Sequence, residues 1–320
     1  MENNYYESEI YCPRLESLGY VVATANILDK HDRSAPSDYH WKILKCRMII
    51  FSHSGVLASP DRNDVKKVHI VFPRYGDEYD RLNSLFSKFS LLQDGEIRHV
   101  DIHVYLECFR YTVAAKIAPL WNTIGYNYLI NNREFLTASG PQDGLKYSMN
   151  ANSNSDAIVL QLKPIKINLL RSNDIFFPGE CVRVLPSLNK ATVEEFYENL
   201  PKIGDFKSYK DLRRHWKNIH GYRLPEEERS YYSVRFWRGD PLTYPDICLL
   251  RLFPTITPIL KSAENVVLEK FLCHLKHKMP TILRTPLEII GRPNMPVNET
   301  FLDTQAVSLC TPTQITPRKF

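Results

Sequence analysis

The segment from Ser208 to Pro225, SYKDLRRHWKNIHGYRLP, predicts one complete helix together with both of its ends. Ser208 is a residue type that caps helix N-termini, and Asp211 follows where an acidic side chain completes a short capping box. Gly221 predicts the end of the helix, and Pro225 prevents the helix from resuming. One face is apolar, at the helical spacing of Leu212, Trp216 and Ile219. Because this face must be buried, the segment predicts a fold with a packed core.

The composition also indicates a packed globular chain. Of the 320 residues, 43% are hydrophobic and 24% are charged, and the formal net charge is +5. These values differ from the low hydrophobicity and high charge of disordered chains. A chain of this length buries roughly three quarters of its extended surface, so it needs no disulfide or metal to fold. The small positive excess permits an acidic partner without requiring one.

The seven cysteines are odd in number and include no CxxC pair. Most lie in apolar segments, as Cys46, Cys108 and Cys273 do, which predicts reduced cysteines in the core of a cytoplasmic or nuclear protein. The first residues, MENNYYESEIYCPR, include no apolar signal segment, and no apolar stretch approaches about 18 residues. We therefore expect an intracellular protein that is not secreted and has no membrane partner.

The predicted elements indicate an α+β fold, with strand–helix alternation in the first half and mixed strands and helices in the second. Strands of the first half are predicted at residues 18–28, 65–72, 96–104 and 121–130. Its helices are predicted at residues 36–55, 77–89 and 133–138. Residues 105–117 fit either a helix or a further strand.

In the second half, strands at 145–149 and 157–162 flank the turn-forming sequence NANSNSD and predict a hairpin. Further strands are predicted at residues 181–185, 231–237, 247–253 and 287–290, and further helices at 192–200 and 265–278. The expected organisation is a polar lead-in at 1–16, an α/β subdomain at 17–140, an α+β subdomain at 141–291 and a flexible Pro/Thr-rich tail at 292–320. The length fits one large domain or two small ones.

The chain contains none of the short motifs that mark common catalytic sites. The phosphate loops GxGxxG and GxxxxGK[ST] are absent, as are the GxSxG, HExxH and EF-hand patterns. We therefore predict a non-enzymatic protein with no cofactor.

One pattern suggests a metal site. In a strand at 96–104, the side chains of His99, Asp101 and His103 would share one face. Imidazole and carboxylate groups bind transition metals, so this face would be the centre of a metal-dependent enzyme. A half-buried strand with a polar outer face explains the same alternation.

A second pattern combines basic and aromatic residues between positions 207 and 238. The basic candidates for nucleic-acid binding are Lys210, Arg213, Arg214, Lys217, Arg223, Arg235 and Arg238. The aromatic residues among them are Tyr222, Tyr231, Tyr232, Phe236 and Trp237. Basic groups contact phosphates and aromatic rings stack on bases, so the segment could contact nucleic acid. A structural helix with a solvated basic face explains the same residues.

Thr316 precedes Pro317 and the basic residues Arg318 and Lys319, which fits a proline-directed phosphorylation site. A phosphate at Thr316 would add negative charge to the predicted tail. Short patterns of this kind also arise by chance.

Several motifs resemble those of a known family. The main motif is formed by Ser208, Tyr209, Asp211, His215, Trp216, Gly221, Tyr222, Leu224 and Pro225. Shorter matches include Ala118-Pro119, Trp121-Asn122, Gly125, Val184-Leu185-Pro186-Ser187 and Tyr244-Pro245. From about residue 18 to 290, the chain resembles a metazoan family of uncharacterised proteins. It is catalogued as a domain of unknown function and includes a human open-reading-frame protein of chromosome 18. The resemblance implies no activity, cofactor or catalytic residue.

Three functions are compatible with these observations. We expect a protein-interaction or scaffold module with a protein partner that the sequence does not identify. The alternative is a nucleic-acid-associated protein that uses the basic and aromatic segment at 207–238. The third is the metal-dependent enzyme centred on His99, Asp101 and His103.

Overall fold

The computed structural model describes residues 5–25, 38–152, 157–170, 175–201, 206–237 and 240–291. The described residues form five α-helices, namely α1 (Asp38–Ser52), α2 (Glu78–Lys88), α3 (Ile102–Ile117), α4 (Tyr209–His220) and α5 (Lys261–Lys278). They also form eighteen strands, namely β1 (Tyr6–Tyr11), β2 (Leu18–Ala25), β3 (Leu57–Pro60), β4 (Lys67–Pro73), β5 (Leu91–Arg98), β6 (Asn122–Ile124), β7 (Tyr128–Ile130), β8 (Gln142–Ala151), β9 (Ala157–Asn168), β10 (Cys181–Val184), β11 (Asn189–Tyr197), β12 (Tyr231–Arg235), β13 (Leu242–Pro245), β14 (Leu249–Leu250), β15 (Thr255–Pro258), β16 (Thr281–Ile282), β17 (Thr285–Pro286) and β18 (Ile289–Ile290). The predicted α+β class is confirmed.

The strands form three main antiparallel sheets. Sheet A has the order β18-β1-β9-β8-β7-β6, and β15 also pairs with β9. Sheet B has the order β3-β4-β2-β5, and sheet C has the order β13-β12-β11-β10-β14. A two-stranded ribbon joins β16 and β17. The predicted boundary near residue 140 falls inside sheet A, between the paired strands β7 and β8, and the predicted lead-in includes β1.

Sheet B is buried on both faces, as the alternation along β2 shows. Tyr20 and Val22 face the core shared with α3 and sheet A. Val21 and Ala23 face the opposite core, which α1 and α2 cover. Burial of both faces explains why β2 is a nearly continuous apolar run and does not alternate with polar residues.

Helix α4 confirms the helix predicted from Ser208. The Ser208 hydroxyl accepts a hydrogen bond from the backbone N–H of Asp211 at 3.2 Å, and Gly221 ends the helix in the left-handed region at φ 75°. The buried side chains of Leu212 and Trp216 pack in a core between sheet A and sheet C. The cap at Ser208, the left-handed glycine at the end and the buried apolar face all favour the same helix boundaries.

The strand predicted at 96–104 is wrong beyond Arg98. Asp101 accepts a hydrogen bond from the backbone N–H of His103 at 2.8 Å and caps the N-terminus of α3. Residues 102–117 then form one helix, which settles the ambiguity of 105–117. An aspartate directly before an apolar run is a helix start signal, and it outweighs the short alternation around it.

The helix predicted at 192–200 is also wrong, because β11 occupies residues 189–197. The side chains of Ala191 and Val193 are buried, and β11 pairs with β10 on one side and β12 on the other. Cross-strand pairing therefore overrides the local preference of the two glutamates for a helix.

Smaller differences concern irregular segments. The strand predicted at 121–130 is a hairpin of β6 and β7 that turns at Gly125, with φ 60°. Residues 133–137 form a turn and not a helix.

Cys273 is exposed, although the sequence places it in an apolar segment. Within the described ranges, no helix combines the length and apolar character of a membrane span.

Candidate functional site

A cavity of about 310 Å³ opens where α1, α3 and the last turn of α4 meet the loop after β3 and the hairpin of β6 and β7. Four of its wall residues carry charge, and we call the cavity the arginine cleft: Arg47, Arg62, Arg110 and Glu107. Three guanidinium groups against one carboxylate leave an excess of two positive charges. The size lies at the lower end of the range for ligand pockets, about 300–1,000 Å³.

Helical spacing on α3 explains one wall of the arginine cleft. Glu107, Arg110 and Ala114 lie three and four residues apart, so they share one face of the helix. Phe109 and Val113 lie on the other side and pack in the buried core. The small side chain of Ala114 leaves open space next to the two charged residues.

Arg110 is held in place by its neighbours. Its guanidinium group lies 3.5 Å from the centroid of the Tyr126 ring. It donates hydrogen bonds to the backbone carbonyl of Tyr126 and, at 3.2 Å, to Oδ1 of Asn127. Because Arg110 is already oriented, a ligand need not restrict this side chain on binding.

Arg62 belongs to a half-exposed network at the mouth of the cleft. Its Nη2 atom lies 2.6 Å from Oε1 of Glu107 and donates to the hydroxyl of Tyr126 at 3.0 Å. The side chains of Arg62 and Glu107 are 61% and 37% exposed, so this ion pair is screened by solvent and contributes little to stability.

Arg47 approaches the cleft from α1. Its guanidinium carbon lies 5.4 Å from the centroid of the Phe51 ring, and burial lowers the pKa of Arg47, an effect that Tyr111 opposes. Arginine stays protonated in proteins, so the positive charge remains. Among the described residues, no carboxylate oxygen lies within 4 Å of the guanidinium nitrogens of Arg47 or Arg110.

Three histidines form a neighbouring group in a smaller cavity of about 20 Å³. The ring centroids of His40 and His215 are 4.8 Å apart, and those of His215 and His220 are 6.5 Å apart. Burial lowers the pKa of His40 to about 4 and that of His215 to about 3, and it holds the pKa of His220 well below its usual value. The three rings are therefore neutral at pH 7, and His220 adds no charge to the arginine cleft that it also lines.

The predicted metal ligands do not share a face. His99 precedes α3, Asp101 caps it and His103 lies in its first turn, and all three side chains are exposed. Across the described ranges, no group of three or more histidine, cysteine, aspartate or glutamate side chains is arranged to bind a metal.

The basic residues of 207–238 divide into two sets. Lys210, Arg214 and Lys217 are exposed along the outer face of α4. The others are partly engaged: Arg213 lies 3.5 Å from Glu226, Arg235 pairs with Glu194, and burial lowers the pKa of the half-buried Arg223. Arg238 and Thr316 lie outside the described residues.

Most of the aromatic residues of the same segment are buried in the hydrophobic core. Tyr222, Tyr231 and Tyr232 are buried, so their rings cannot stack on bases. Phe236 is half-buried against Tyr244, at 6.1 Å between ring centroids. Trp237 differs, because its side chain is 94% exposed.

The arginine cleft is not predicted by any motif in the sequence. Its charged residues come from α1, the loop after β3 and α3, and no motif links these three positions. The local signal is on α3, where the charged residues Glu107 and Arg110 are spaced three apart on one face of a largely apolar helix. Three residues of the family-like motifs, Gly125, Pro186 and Ser187, also line the cleft.

Comparison with known proteins gave one family and several distant structures. A family model described as "Domain of unknown function (DUF4708)" matches residues 10–175 and 170–256. The chain is similar to Marinitoga piezophila Argonaute in complex with 5′ OH guide RNA and target DNA, at 10% identity and a TM-score of 0.42. It is also similar to the same Argonaute with 5′ OH guide RNA, at 11% identity and a TM-score of 0.38. Each alignment covers 89% of this chain and 40% of the Argonaute chain. Similarity at this level does not establish a shared fold or function.

Proposed function

The protein belongs to the family described as Domain of unknown function (DUF4708), and we propose that it is a protein-interaction module whose arginine cleft binds an acidic segment of a partner protein. The observation that carries this proposal is the excess of two positive charges on the walls of one cavity. Guanidinium groups bind carboxylates with paired hydrogen bonds, and clusters of arginines recur where proteins recognise acidic motifs.

The geometry of the cleft supports a binding role. Arg110 is oriented in advance by Tyr126 and Asn127, and Arg47 is partly withdrawn from solvent. Partial burial strengthens the attraction between a guanidinium group and an incoming anion, because solvent screens it less. A cavity of about 310 Å³ fits a few acidic side chains and not a whole folded surface.

The test uses the full chain and a fluorescein-labelled peptide with consecutive glutamates, measured by fluorescence anisotropy at low salt. We expect Arg110→Gln to weaken binding on the order of tenfold, since it removes charge-assisted hydrogen bonds. The matched control is Arg81→Gln, which removes a 53% exposed arginine of α2 that pairs with Asp77 at 2.8 Å. Equal affinity of both variants for the peptide would show that the cleft is not the binding site.

The outer face of α4 supports a second candidate, nucleic-acid binding. Lys210, Arg214 and Lys217 are spaced at four and three residues, so they share one exposed face opposite Leu212 and Trp216. For a single strand, the logarithm of affinity should fall with the logarithm of salt by about 0.7 per phosphate contact. The double variant Lys210→Glu with Lys217→Glu should then reduce this slope. An unchanged slope and affinity would exclude this face.

A further inference from the structure

We propose that the acidic group bound in the arginine cleft is a phosphate monoester, so that the partner segment is recognised in its phosphorylated form. This inference rests on the proposed function of the cleft. It adds the chemical class of the ligand, which the fold and the family match leave open.

The charge of the cleft matches a dianion better than a single carboxylate. Arg47 and Arg110 stand on two different helices and face one cavity, and no described carboxylate oxygen lies within 4 Å of their guanidinium nitrogens. A phosphate monoester carries about −1.5 to −2 charges at pH 7 and has three terminal acceptor oxygens. It can therefore accept hydrogen bonds from two arginine forks at once, which a carboxylate with two oxygens does less well.

Glu107 reduces the positive charge that the cleft presents to a ligand. Its carboxylate pairs with Arg62 at 2.6 Å, so Arg62 is neutralised before a ligand arrives. The net attraction that remains is proportional to the charge of the ligand, so a dianion gains about twice as much as a monoanion. Glu107 thus lowers the affinity of the cleft for every anion, and the charge that remains still favours a dianion over a monoanion.

Two hydroxyl groups also line the arginine cleft, those of Ser187 and Tyr126. Ser187 is exposed at the turn between β10 and β11, where its hydroxyl accepts a hydrogen bond from the backbone N–H of Asn189 at 3.2 Å. The O–H of Ser187 can still donate to a phosphate oxygen, because a hydroxyl donates once and accepts twice. The hydroxyl of Tyr126 stands at the mouth of the cleft beside Arg62.

The size of the cleft favours a phosphorylated side chain over a nucleic-acid strand. Arg47, Arg62 and Arg110 surround one cavity of about 310 Å³, whereas a strand needs a row of cations that follows its backbone. The row on α4 lies on the exposed face of that helix, and the α4 residues that line the cleft are Ile219 and His220.

The experiment compares three labelled peptides that differ only at one central residue, which is phosphoserine, glutamate or serine. Affinities for the full chain are measured by fluorescence anisotropy, with a single-stranded oligothymidylate as competitor. We expect the phosphoserine peptide to bind about tenfold more tightly than the glutamate peptide, in line with its higher charge and third oxygen. Arg110→Gln should remove this preference, and Arg81→Gln should keep it.

Two further variants distinguish a loss of phosphate recognition from a loss of folding. Arg110→Lys keeps the charge but loses the planar fork, so it should lose most of the preference for phosphoserine while circular dichroism stays unchanged. Glu107→Gln should raise the affinity for the phosphoserine peptide several-fold, and a damaged fold cannot produce such a gain.

Each outcome separates the two proposals. Equal binding of the phosphoserine and glutamate peptides would overturn the phosphate inference and leave the acidic-segment function intact. Failure of both peptides to bind would overturn both. Displacement of the phosphoserine peptide by oligothymidylate, with direct binding of the oligonucleotide that depends on Arg110, would identify nucleic acid as the phosphate source and overturn the assignment to a protein segment.

Discussion

The guanidinium group of Arg110 lies 3.5 Å from the ring centroid of Tyr126, and the hydroxyl of the same tyrosine accepts a hydrogen bond from Arg62. One 60% exposed side chain therefore orients two of the three arginines of the cleft. A tyrosine so exposed contributes little to a hydrophobic core, so its contacts with the arginines are its main structural role.

We predict that Tyr126→Leu weakens binding of an acidic or phosphorylated peptide several-fold. Leucine keeps apolar bulk but removes the aromatic face, and a cation–π contact at an exposed site is worth about 0.5–1 kcal/mol. Tyr126→Phe keeps this face and loses only the acceptor for Arg62, so it should bind more tightly than Tyr126→Leu. Dissociation constants from anisotropy titrations decide the order, and equal values for the two variants would contradict a role for the ring.

We predict that Gly221→Ala destabilises the protein more than Gly140→Ala. Both glycines have a left-handed backbone, with φ values of +75° and +72°, so an alanine costs about 1 kcal/mol at either position. At Gly221 the new Cβ would lie 2.7 Å from Cβ of Ala118, whereas at Gly140 it would meet no atom within 4 Å. The difference between the two losses of urea-unfolding free energy therefore measures the steric cost of placing a new Cβ against Ala118. Equal losses would show that the contact relaxes without cost.

The α4 segment also shows which parts of the fold can be predicted from sequence. Its cap, its apolar face and its terminating glycine all lie within fifteen residues, so each signal supports the others. The hairpin of β8 and β9 was predictable for the same reason, because turn residues separate two apolar strands. Local signals suffice where the element is determined by its own residues.

The features that the sequence did not predict depend on contacts between residues that are distant in the chain. Strand β11 contains two adjacent glutamates that favour a helix start, but its pairing with β10 and β12 decides its structure. The arginine cleft depends still more on distant contacts, because Arg47 and Arg110 are brought together only when α1 and α3 pack on sheet B. A single sequence holds no local pattern for such an arrangement. The face predicted from His99, Asp101 and His103 depended on a strand that ends at Arg98.

We predict that Glu78→Gln lowers the free energy of unfolding by about 2 kcal/mol, the usual cost of a buried polar group left without full partners. Oε1 of Glu78 accepts a hydrogen bond from Arg284 Nε at 2.9 Å, and Oε2 lies 3.3 Å from Nε2 of His53. The carboxylate is buried, so it joins the C-terminal end of α1 and the N-terminal turn of α2 to the ribbon of β16 and β17.

The matched control for this prediction is Glu96→Gln, which changes an exposed glutamate of β5. Its effect should stay within about 0.5 kcal/mol, as for most surface substitutions. If Arg284→Ala and Glu78→Gln have independent, additive effects on urea unfolding, the two side chains are not coupled and the role of the ion pair is refuted.

We predict that acid destabilises the protein through the group of His40, His215 and His220. Burial lowers the pKa of His215 to about 3 and that of His40 to about 4. Burial also lowers the pKa of His220, and the nearby charge of Arg47 lowers it further. An unfolded histidine has a pKa of about 6.5. Below pH 6.5 the unfolded state therefore binds protons that the folded state does not, so stability falls as the pH decreases. For His215 this loss continues until the pH reaches about 3, where the folded state also binds the proton.

The variant His215→Phe isolates this effect. Phenylalanine keeps an aromatic ring against His40 and Phe206, whose centroids lie 4.8 and 4.9 Å from the imidazole, but it cannot bind a proton. Between about pH 6 and pH 4, the unfolding free energy should fall less steeply by about 1.4 kcal/mol per pH unit, since one titrating group is removed. The control Phe206→Leu weakens the same packing without changing protonation, so it should lower stability by a similar amount at every pH. If the slope with His215→Phe equals that of the wild-type chain, His215 takes up its proton equally in both states and is not an origin of acid sensitivity.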